Sequence, residues 1–558
     1  MAIESKLIGT VFSVDTGTVI IEVTDENLLN SVQINQIIEI NSTTVNEIII
    51  GLIVKIMRKG VADNIDSDTQ KVEVENMLKV NLVGTLLTRD GTNVNTFKRT
   101  LNTVPSINAK CTLLQGKDLS EFMKIISSKA VNPLKIGRYT ISNNSIANLD
   151  GNKFFQRHAV IVGGTGSGKS WTVANLLEQA SVLKSINAVV FDLHGEYKPL
   201  ENLQNTVLLK IAGPSDVLMD NVIFLPYWLL SYEEMSAFLL DRSDANAPNQ
   251  ARELFDLIIR FKTEKLVSED RNNILENFTV ESPIPYKIDS VLEELKQKDQ
   301  EMVQGARSEK QGPLYGKLTR FIQRLESKKT DKRLNFIFSN DEKLQNYDWF
   351  VMLIKQLMDF GNGQGLKIID FSEVPSDILP LITGLLGRLI FSVQQWMEEE
   401  KRQPIALFCD EAHLYLPNLT NSAIDERGLK NFERIAKEGR KYGIALVVIS
   451  QRPSDVNKTI LSQCGNFIAM RLTNPEDQNV IQKLFPDNLG NFSNSLPILD
   501  VGEALIVGDA SLLPSRVIID EPNIKPNSAT IDFWDEWDKD KKESGIESAV
   551  EALRAQHK

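Results

Sequence analysis

The chain has 558 residues, of which 42% are hydrophobic and 24% charged, and these shares exclude a disordered or a collagen-like protein. Asp and Glu (74) outnumber Lys and Arg (62), so the formal net charge of -12 excludes a wholly basic nucleic-acid coat, although it leaves room for a local basic channel. The three cysteines, Cys111, Cys409 and Cys464, lie far apart without CxxC spacing, which argues against disulfides or a zinc site and favours reduced thiols in the cytoplasm.

Residues 1–130 are predicted to form a small N-terminal β-barrel. Runs rich in Val, Ile and Thr and broken by turn residues recur between Ile8 and Val83, for example in GTVFSVDTGTVIIEVTD and EIIIGLIVKIM. No cluster of catalytic residue types accompanies these runs, so we interpret the region as an assembly or docking domain. The N-terminus lacks a signal-peptide pattern, and the most apolar run, from Ile48 to Met57, is too short to span a bilayer, so we expect a cytoplasmic protein with no membrane partner.

After residue 130 the pattern changes to short apolar runs followed by amphipathic helices. Continuous apolar strands are buried on both faces, which predicts a mostly parallel sheet between layers of helices and therefore an α/β core. We expect the first part of this core at 131–230, a helical insertion at 231–345, the second part of the core at 346–525 and a C-terminal tail at 526–558. The runs that predict strands are His158–Val162, Ala188–Phe191, Leu366–Ile369, Ile405–Cys409, Ala445–Ile449, Phe467–Met470 and Ala504–Val507.

The strongest motif is GGTGSGKS, which fits the pattern GxxxxGK(S/T) and directly follows the predicted strand HAVIV. Its glycines allow successive backbone N–H groups to point at phosphates, and the helix that begins near Lys169 adds its positive N-terminal dipole. We expect Lys169 to reach the β- and γ-phosphates of ATP and the Ser170 hydroxyl to bind Mg²⁺. The predicted nucleotide-binding residues are Gly163, Gly164, Thr165, Gly166, Ser167, Gly168, Lys169, Ser170 and Trp171.

A second motif, PIALFCDEAHLYLP, ends an apolar strand in the pair Asp410 and Glu411. In P-loop ATPases an Asp at this strand end holds Mg²⁺ through its water shell, and the adjoining Glu polarises the attacking water. Acidic residues at a strand end can also be the solvated first turn of a helix. The phosphate loop in the same chain favours the catalytic interpretation.

A third motif, GIALVVISQRPSDV, is a buried strand that ends in Ser450 and Gln451. A polar amide at this strand end is well placed to sense the γ-phosphate or to orient water. The alternative is a Gln that only caps the strand.

Some arginine residues are candidates for an arginine finger, because phosphoryl transfer needs extra positive charge on the transition state, often from a neighbouring subunit. Arg440, in FERIAKEGRKYG, falls at the Gly-bounded end of a helix and is a better candidate for such a finger than Arg434. Arg157, just before the phosphate-loop strand, is a second candidate. An ordinary surface ion pair is the alternative for each.

The segment FDLHGEY ends the second predicted strand of the core. Its acidic residues could contact the nucleotide site or a subunit boundary. Capping of the loop by Asp192 is an equally weighted alternative. His413, after the acidic pair, is more often structural than catalytic, and Cys409 is most simply a buried small residue.

Taken together, these segments resemble the HerA-like branch of the HerA/FtsK superfamily of P-loop motors. The segments that carry the resemblance are RHAVIVGGTGSGKS, FDLHGEY, LFCDEAHLYLP, IAKEGRKYGIALVVISQRPSDV and GEALIVGDASLLPSRVIID. The resemblance implies an α/β fold with a RecA-like P-loop core, a small N-terminal β-barrel, a helical insertion and a C-terminal extension.

The resemblance also implies an activity and partners. It implies a homo-hexamer that hydrolyses ATP at subunit boundaries and moves double-stranded DNA through its pore. Family members commonly work with a separately encoded nuclease, and bacterial relatives also pair with nuclease or sirtuin-like, NAD-consuming effectors in anti-phage defence. We expect such an effector to dock on the β-barrel. The residues to which the resemblance gives catalytic roles are Lys169, Glu411, Gln451, Arg440 and Arg157, and those at Mg²⁺ are Ser170 and Asp410.

Two alternatives remain open. The ring could be a scaffold in which bound ATP organises and activates an effector, although Glu411 favours turnover because binding alone needs no water-activating carboxylate. The segment from Ala306 to Arg333 has nine Lys and Arg residues against three acidic ones. This segment either faces DNA, whose phosphates require positive charge, or is a solvated face.

Overall fold

A computed structural model of the chain describes residues 5–30, 32–62, 72–88, 95–126, 133–304, 308–361, 363–486, 492–528, 531–539 and 545–555. The strands are β1 (Lys6–Val14), β2 (Thr18–Val23), β3 (Ile37–Asn41), β4 (Glu47–Ala62), β5 (Val72–Leu87), β6 (Thr96–Lys98), β7 (Lys110–Leu113), β8 (Leu134–Tyr139), β9 (Ser142–Leu149), β10 (Ala159–Val162), β11 (Ala188–Asp192), β12 (Thr206–Ile211), β13 (Val222–Ile223), β14 (Met302–Gln304), β15 (Glu309–Gln311), β16 (Leu366–Asp370), β17 (Ile405–Cys409), β18 (Ile444–Ser450), β19 (Asn466–Met470), β20 (Glu503–Gly508) and β21 (Ser515–Ile519).

The helices are α1 (Glu26–Leu29), α2 (Gly116–Ile126), α3 (Gly151–Gln156), α4 (Lys169–Ser181), α5 (Tyr232–Leu239), α6 (Ala247–Ser268), α7 (Asn272–Leu275), α8 (Ile288–Asp299), α9 (Thr319–Thr330), α10 (Asn335–Phe338), α11 (Trp349–Met358), α12 (Leu379–Trp396), α13 (Ala423–Glu438), α14 (Lys458–Gln463), α15 (Pro475–Leu484), α16 (Phe533–Trp537) and α17 (Ile546–Ala555). The chain forms two compact units. The first comprises Met1–Ala180, Val447–Ser454 and Leu461–Lys525, and the second comprises Ser181–Leu446, Asp455–Ile460 and Pro526–Lys558.

The first unit begins with a closed barrel of six antiparallel strands, which confirms the predicted small β-barrel. The strands follow the order β2-β1-β7-β3-β4-β5, and β5 pairs again with β2 to close the barrel. In β2 alternate side chains point inward, since Val19, Ile21 and Val23 are buried. The closed ladder leaves the six strands no free edge, so the apolar interior is sealed.

The sheet of the first unit is built around β10, which lies between β18 and β19 and is parallel to both. The register places Val162 of β10 beside Ser450 and Ala469, so the three strands end at the same edge. Beyond β19 the sheet continues through β20, β21, β8 and β9 in antiparallel pairing. A parallel centre with an antiparallel flank agrees with the mostly parallel sheet that the apolar runs predict.

Asn466, at the start of β19, fixes the entry of the chain into β10. Its side chain is 2% exposed, and Nδ2 donates to the carbonyl oxygens of Lys153, Phe154 and His158 at 3.0, 3.2 and 3.1 Å. Its Oδ1 accepts from the Ala510 N–H at 2.8 Å. One buried amide therefore satisfies several backbone groups where neighbouring segments meet.

The second unit contains a parallel sheet in the order β13-β12-β16-β11-β17. Every residue of β11, β16 and β17 is buried, as the continuous apolar runs predict. Strands β12 and β13 were not predicted, because the first is only half-buried and carries Thr206 and Lys210, and the second has two residues. The two units together confirm the predicted α/β fold.

The segment after β13 is mainly helical, and α5, α6 and α8 lie where the helical periodicity predicts them. It also contains a short hairpin, β14 and β15, whose side chains are mostly exposed and carry no apolar periodicity. A buried ion pair secures α5, because Arg388 of α12 donates to both carboxylate oxygens of Glu234 at 2.9 and 2.7 Å. None of the described helices combines the length and the apolar character of a membrane span.

Candidate active site

The predicted phosphate loop is the turn between β10 and α4, in the first unit. The Gly163 N–H donates to the Ser450 carbonyl at 3.4 Å, and the Gly164 N–H donates to the Arg471 carbonyl at 2.8 Å. The first bond attaches the loop to the end of β18, and the second attaches it to the residue after β19. The loop is thus held by both strands that flank β10.

The loop has glycine where other residues would be strained. Gly166 and Gly168 have φ angles of 69° and 107°, in the left-handed region that favours glycine. A Cβ atom on Gly163 would lie 2.4 Å from Ser167 Oγ and 2.8 Å from Met470 Cβ. The tight turn leaves its backbone close to whatever occupies the concave side, as a phosphate cradle requires.

Lys169 lies across the loop that precedes it. Its side chain is buried, and Nζ donates to the Gly164 carbonyl at 3.3 Å. Ser170 follows in the first turn of α4, a helix of 13 residues whose N-terminus carries a partial positive charge. The ammonium group, the loop N–H groups and the helix dipole all favour an anion at this position.

Gln451, the residue after β18, contacts the phosphate loop directly. The Thr165 hydroxyl donates to Gln451 Oε1 at 2.7 Å. The structure therefore brings together the loop and the amide that the sequence places 286 positions further along the chain.

Trp171, in the first turn of α4, is covered by a segment that the sequence reasoning did not include. Lys525 Nζ lies 4.7 Å from the centroid of the Trp171 ring, at a distance typical of a cation–π contact. The same segment is attached to α4 through Asn523, whose N–H and Nδ2 donate to the Glu178 carboxylate at 2.9 and 2.6 Å. No spacing rule in the sequence would have found this contact.

Arg157 lies at the opposite end of β10 from the phosphate loop. Its Nε is 3.5 Å from Asp509 Oδ2, and its carbonyl accepts from the Gly465 N–H at 2.7 Å. Asp509 also pairs with Arg99 of the barrel, with Nη1 at 3.5 Å. The four residues of β10 separate Arg157 from the loop, so the structure does not bring the two together within one chain.

The acidic pair lies at the end of β17, in the second unit. Asp410 and Glu411 are 4% and 5% exposed, and the Glu411 N–H donates to Asp410 Oδ1 at 3.0 Å. Burial, followed by the neighbouring charge of Glu411, raises the pKa of Asp410 well above its ordinary value. His413 Nδ1 is 3.3 Å from Glu411 Oε2. Two buried carboxyl groups therefore lie next to each other at this strand end.

The segment FDLHGEY folds back on the end of β11. Asp192 is fully buried and accepts from the N–H groups of Glu196 and Tyr197 at 3.0 and 2.9 Å, so its carboxylate caps the loop. Burial raises the pKa of Asp192 to about 6. Phe191 pairs with Cys409, and the ends of β11 and β17 therefore lie side by side.

Arg440 and Arg434 differ in what they contact. Arg434 lies over the Phe391 ring at 4.4 Å and donates to Gln395 Oε1 at 3.1 Å. Arg440 is exposed in a 3₁₀ turn that ends at Gly443, and its guanidinium has no ion pair within the part of the chain that the structure describes. Both side chains are exposed, and Arg434 differs in being engaged by neighbours on its own chain.

Much of the basic segment is already engaged by acidic or aromatic neighbours. Arg324 pairs with Asp241 at 3.2 Å, and Lys328 Nζ lies 4.2 Å from the Phe238 ring centroid. Further ion pairs join Lys329 to Asp289 and Arg333 to Asp331. Arg307 lies outside the described residues. These contacts favour the interpretation of this segment as a surface stabilised by its own ion pairs.

Two family models match the chain. The model described as the central domain of helicase HerA matches residues 134–390, and the model described as helicase HerA-like C-terminal matches residues 386–533. The matched residues include the phosphate loop, the acidic pair and Gln451, and they exclude the barrel.

Individual proteins are similar to the chain as well. A DNA double-strand break repair helicase HerA from Sulfolobus acidocaldarius is 29% identical over 71% of this chain and 71% of that protein. A probable helicase from Methanocaldococcus jannaschii is 25% identical over 73% of this chain and 71% of that protein. Among solved structures, VirB4 of Thermoanaerobacter pseudethanolicus aligns with a TM-score of 0.46 and 15% identity, over 71% of this chain and 98% of that one. The plasmid coupling protein TrwB in complex with ADP and Mg²⁺ aligns with a TM-score of 0.44 and 15% identity, over 73% and 94%.

Proposed function

Because the chain belongs to the HerA helicase family, we propose that it is an ATP-driven motor that moves double-stranded DNA. The observation that carries the proposal is the glycine-rich loop between β10 and α4, with Lys169 across it and Gln451 hydrogen-bonded to Thr165. The loop is suited to bind the phosphates of ATP, and the Gln451 amide that contacts it is suited to respond when the γ-phosphate is lost. The DNA repair helicase HerA of Sulfolobus acidocaldarius supports DNA as the substrate.

In this proposal each residue has one task. Lys169 binds the β- and γ-phosphates, Glu411 accepts a proton from the attacking water, and Gln451 senses the γ-phosphate. Ser170 and Asp410 would hold Mg²⁺, which neutralises phosphate charge when bound. Hydroxyl and carboxylate oxygens are the kinds of ligand that this ion takes in proteins.

We further propose that hydrolysis takes place between copies in a homo-hexamer. Arg440 reaches the nucleotide of the neighbouring copy, and its exposed guanidinium supports this role. Arg157 is a second phosphate ligand only if a neighbouring copy supplies the nucleotide, because its own loop lies at the other end of β10. The site of action is the cytoplasm, and a nuclease or a sirtuin-like effector docks on the barrel, in DNA end processing or in anti-phage defence.

A second candidate function is an ATP-binding scaffold that activates an effector. The engaged cations of the basic segment favour it, because DNA binding draws most of its affinity from Lys and Arg residues that are free to contact phosphates. The net charge of -12 points the same way. The two candidates differ in whether hydrolysis is needed.

Two variants separate binding from hydrolysis. We expect Lys169→Ala to lose ATP binding, and Glu411→Gln to keep binding while its turnover falls by at least about a hundredfold. Nucleotide affinity, ATP turnover with and without linear duplex DNA, and native mass should be measured for each. Stimulation of the wild type by duplex DNA supports the motor. Full effector activation by Glu411→Gln, with the assembly intact, would favour the scaffold.

A further inference from the structure

Tyr197 lies in the loop that follows β11, in the second unit, and Asp192 at the end of that strand holds the loop. Its N–H donates to Asp192 Oδ2 at 2.9 Å, and the Glu196 N–H donates to Oδ1 of the same carboxylate at 3.0 Å. These two bonds turn the loop after β11 inward, and the Tyr197 side chain is 0% exposed. A sharply held loop thus delivers one aromatic side chain to the interior.

The hydroxyl of Tyr197 is buried and has no hydrogen-bond partner among the described residues. Buried tyrosine hydroxyls usually find a partner, because an unpaired polar group in the interior costs stability. Packing alone would be served better by Phe at this position, since Phe fills the same space without that cost. The hydroxyl therefore calls for an explanation other than packing.

The acidic pair is the electrostatic neighbour of this hydroxyl. Phe191 of β11 is paired with Cys409 of β17. The loop that carries Tyr197 and the acidic pair therefore both follow strands that end side by side. Burial raises the pKa of Tyr197 well above its ordinary value, and the charge of Asp410 is the next cause. A phenol holds its proton near neutral pH, so this hydroxyl is available as a hydrogen-bond donor to a neighbouring carboxylate.

Glu411 depends on Asp410 for its position. It has φ 42° and ψ 45°, a left-handed conformation that is strained for a residue with a long side chain. Its N–H donates to Asp410 Oδ1 at 3.0 Å, which ties this conformation to the orientation of the Asp410 carboxylate. Any group that fixes Asp410 also fixes Glu411.

We propose that the Tyr197 hydroxyl donates a hydrogen bond to the Asp410 carboxylate in the hydrolytic arrangement and thereby holds Glu411 in place. Tyr197 touches neither ATP nor water in this scheme, so it is a positioning residue. The inference rests on the proposed function, since it assigns a role within ATP hydrolysis. It explains why a buried hydroxyl without a partner stands next to the acidic pair.

The test is Tyr197→Phe in the full chain, with ATP as the probe. We expect kcat to fall by about tenfold, the effect of one lost hydrogen bond, while the KM for ATP stays unchanged. The melting temperature should stay equal or rise, because the substitution removes only an unpaired hydroxyl. A merely structural residue cannot give lower turnover together with undiminished stability.

Tyr227→Phe is the control for loss of a buried phenol hydroxyl, because Tyr227 is 2% exposed and its hydroxyl donates to the Tyr286 carbonyl and accepts from the Ile288 N–H. Its kcat should stay within about twofold of the wild type. A kcat for Tyr197→Phe within that same range would overturn the inference, as would a fall in kcat matched by falls in ATP affinity and melting temperature. A wild-type chain without any turnover would instead contradict the proposed function, and the inference with it.

Discussion

Gln451 accepts a hydrogen bond from the Thr165 hydroxyl of the phosphate loop, with a donor–acceptor distance of 2.7 Å. The amide stands at the end of β18, and β18 is paired with β10, so the bond joins the loop to the neighbouring strand as well. The Gly163 N–H also donates to the Ser450 carbonyl at 3.4 Å, so the loop is attached to the end of β18 through its backbone too. In the proposed mechanism, a change of the loop on loss of the γ-phosphate reaches β18 through both contacts.

Replacement of Gln451 should affect turnover more than binding. We expect Gln451→Ala to lower kcat by roughly tenfold to a hundredfold with little change in ATP affinity, because Lys169 and the loop N–H groups are untouched. Thr165→Ser keeps the hydroxyl and is the control. Steady-state kinetics and equilibrium nucleotide binding check the split, and equal losses in both variants would contradict the sensor role.

Asp192 should give the protein a defined pH dependence. Its folded-state pKa of about 6 exceeds the ordinary value of 3.8, because of burial, so the folded chain holds this proton more tightly than the unfolded chain. The contribution of Asp192 to the free energy of unfolding therefore falls as the pH rises from 3.8 to about 6, and it is constant at higher pH. The shift corresponds to roughly 3 kcal/mol.

Asp192→Asn removes this titration. The melting temperature of the variant minus that of the wild type should become more positive between about pH 4 and about pH 6.5 and stay level above that range. Scanning calorimetry at several pH values measures the difference, with Glu196→Gln on the same loop as the control for loss of one charge. A difference that does not change with pH would refute the assignment.

Local motifs could be predicted from the sequence, whereas contacts between distant segments could not. The residues of the phosphate loop are contiguous, and their chemistry depends on their own backbone, so GGTGSGKS sufficed. The pairing of Arg157 with Asp509 joins residues about 350 positions apart, and no pattern encodes it. The same is true of the unpaired Tyr197 hydroxyl, because burial of one atom is a property of the packed fold.

Helices α12 and α13 pack closely enough to need glycine at their contact. A Cβ atom on Gly428 would lie 2.0 Å from the Pro380 carbonyl oxygen, and one on Gly384 would lie 2.5 Å from Gly428 Cα. Helix α13 leads into the turn that carries Arg440, so this contact also determines where that turn begins. At the scale of elements, backbone-to-backbone packing sets the position of a proposed functional residue.

Alanine at Gly428 should therefore be costly. We expect Gly428→Ala to lower the free energy of unfolding by about 1–3 kcal/mol or more, since backbone atoms cannot yield as a flexible side chain does. Gly387→Ala is the control on α12, because its Cβ would meet Ile435 Cδ1 at 3.2 Å, the end of a movable side chain. Thermal unfolding compares the two, and equal stability losses would count against the close contact.

Elements with strong periodicity could be predicted, and irregular ones could not. Helix α6 has apolar residues at helical spacing, and its buried residues include Leu254, Leu257 and Ile258. The hairpin of β14 and β15 is short, polar and exposed, so it leaves no alternating pattern. The barrel is predictable as a set of β-runs, whereas its closure by β5 onto β2 is set by tertiary structure.

For the whole molecule, the negative net charge must be reconciled with binding to DNA, whose phosphates are also negative. The chain carries -12, and the best basic segment has several of its cations in ion pairs. Phosphate contacts release counterions, so the number of free cations determines how affinity falls with salt. One copy of a motor with this composition should bind duplex DNA with low affinity. The affinity should rise when several copies assemble, because each adds contacts to the same duplex.

Hydrolysis between copies predicts complementation. Arg440→Ala and Lys169→Ala should each be nearly inactive alone, yet a mixture should recover part of the turnover, because a wild-type loop then meets a wild-type arginine at some boundaries. Lys441→Ala, in the same turn, is the control for loss of a surface charge. ATP turnover after co-assembly measures the effect, and a mixture no more active than its components would contradict catalysis in trans.

If ATP hydrolysis moves the chain along a duplex, as we propose, the moving chain displaces a third DNA strand that lies in its path. An oligonucleotide bound in the major groove is placed at increasing distances from the end of a linear duplex, and its release is followed over time. We expect ATP-dependent release by the wild type, with a delay that grows with distance, and no release by Glu411→Gln. Rapid ATP turnover without release at any distance, or equal release by Glu411→Gln, would contradict it.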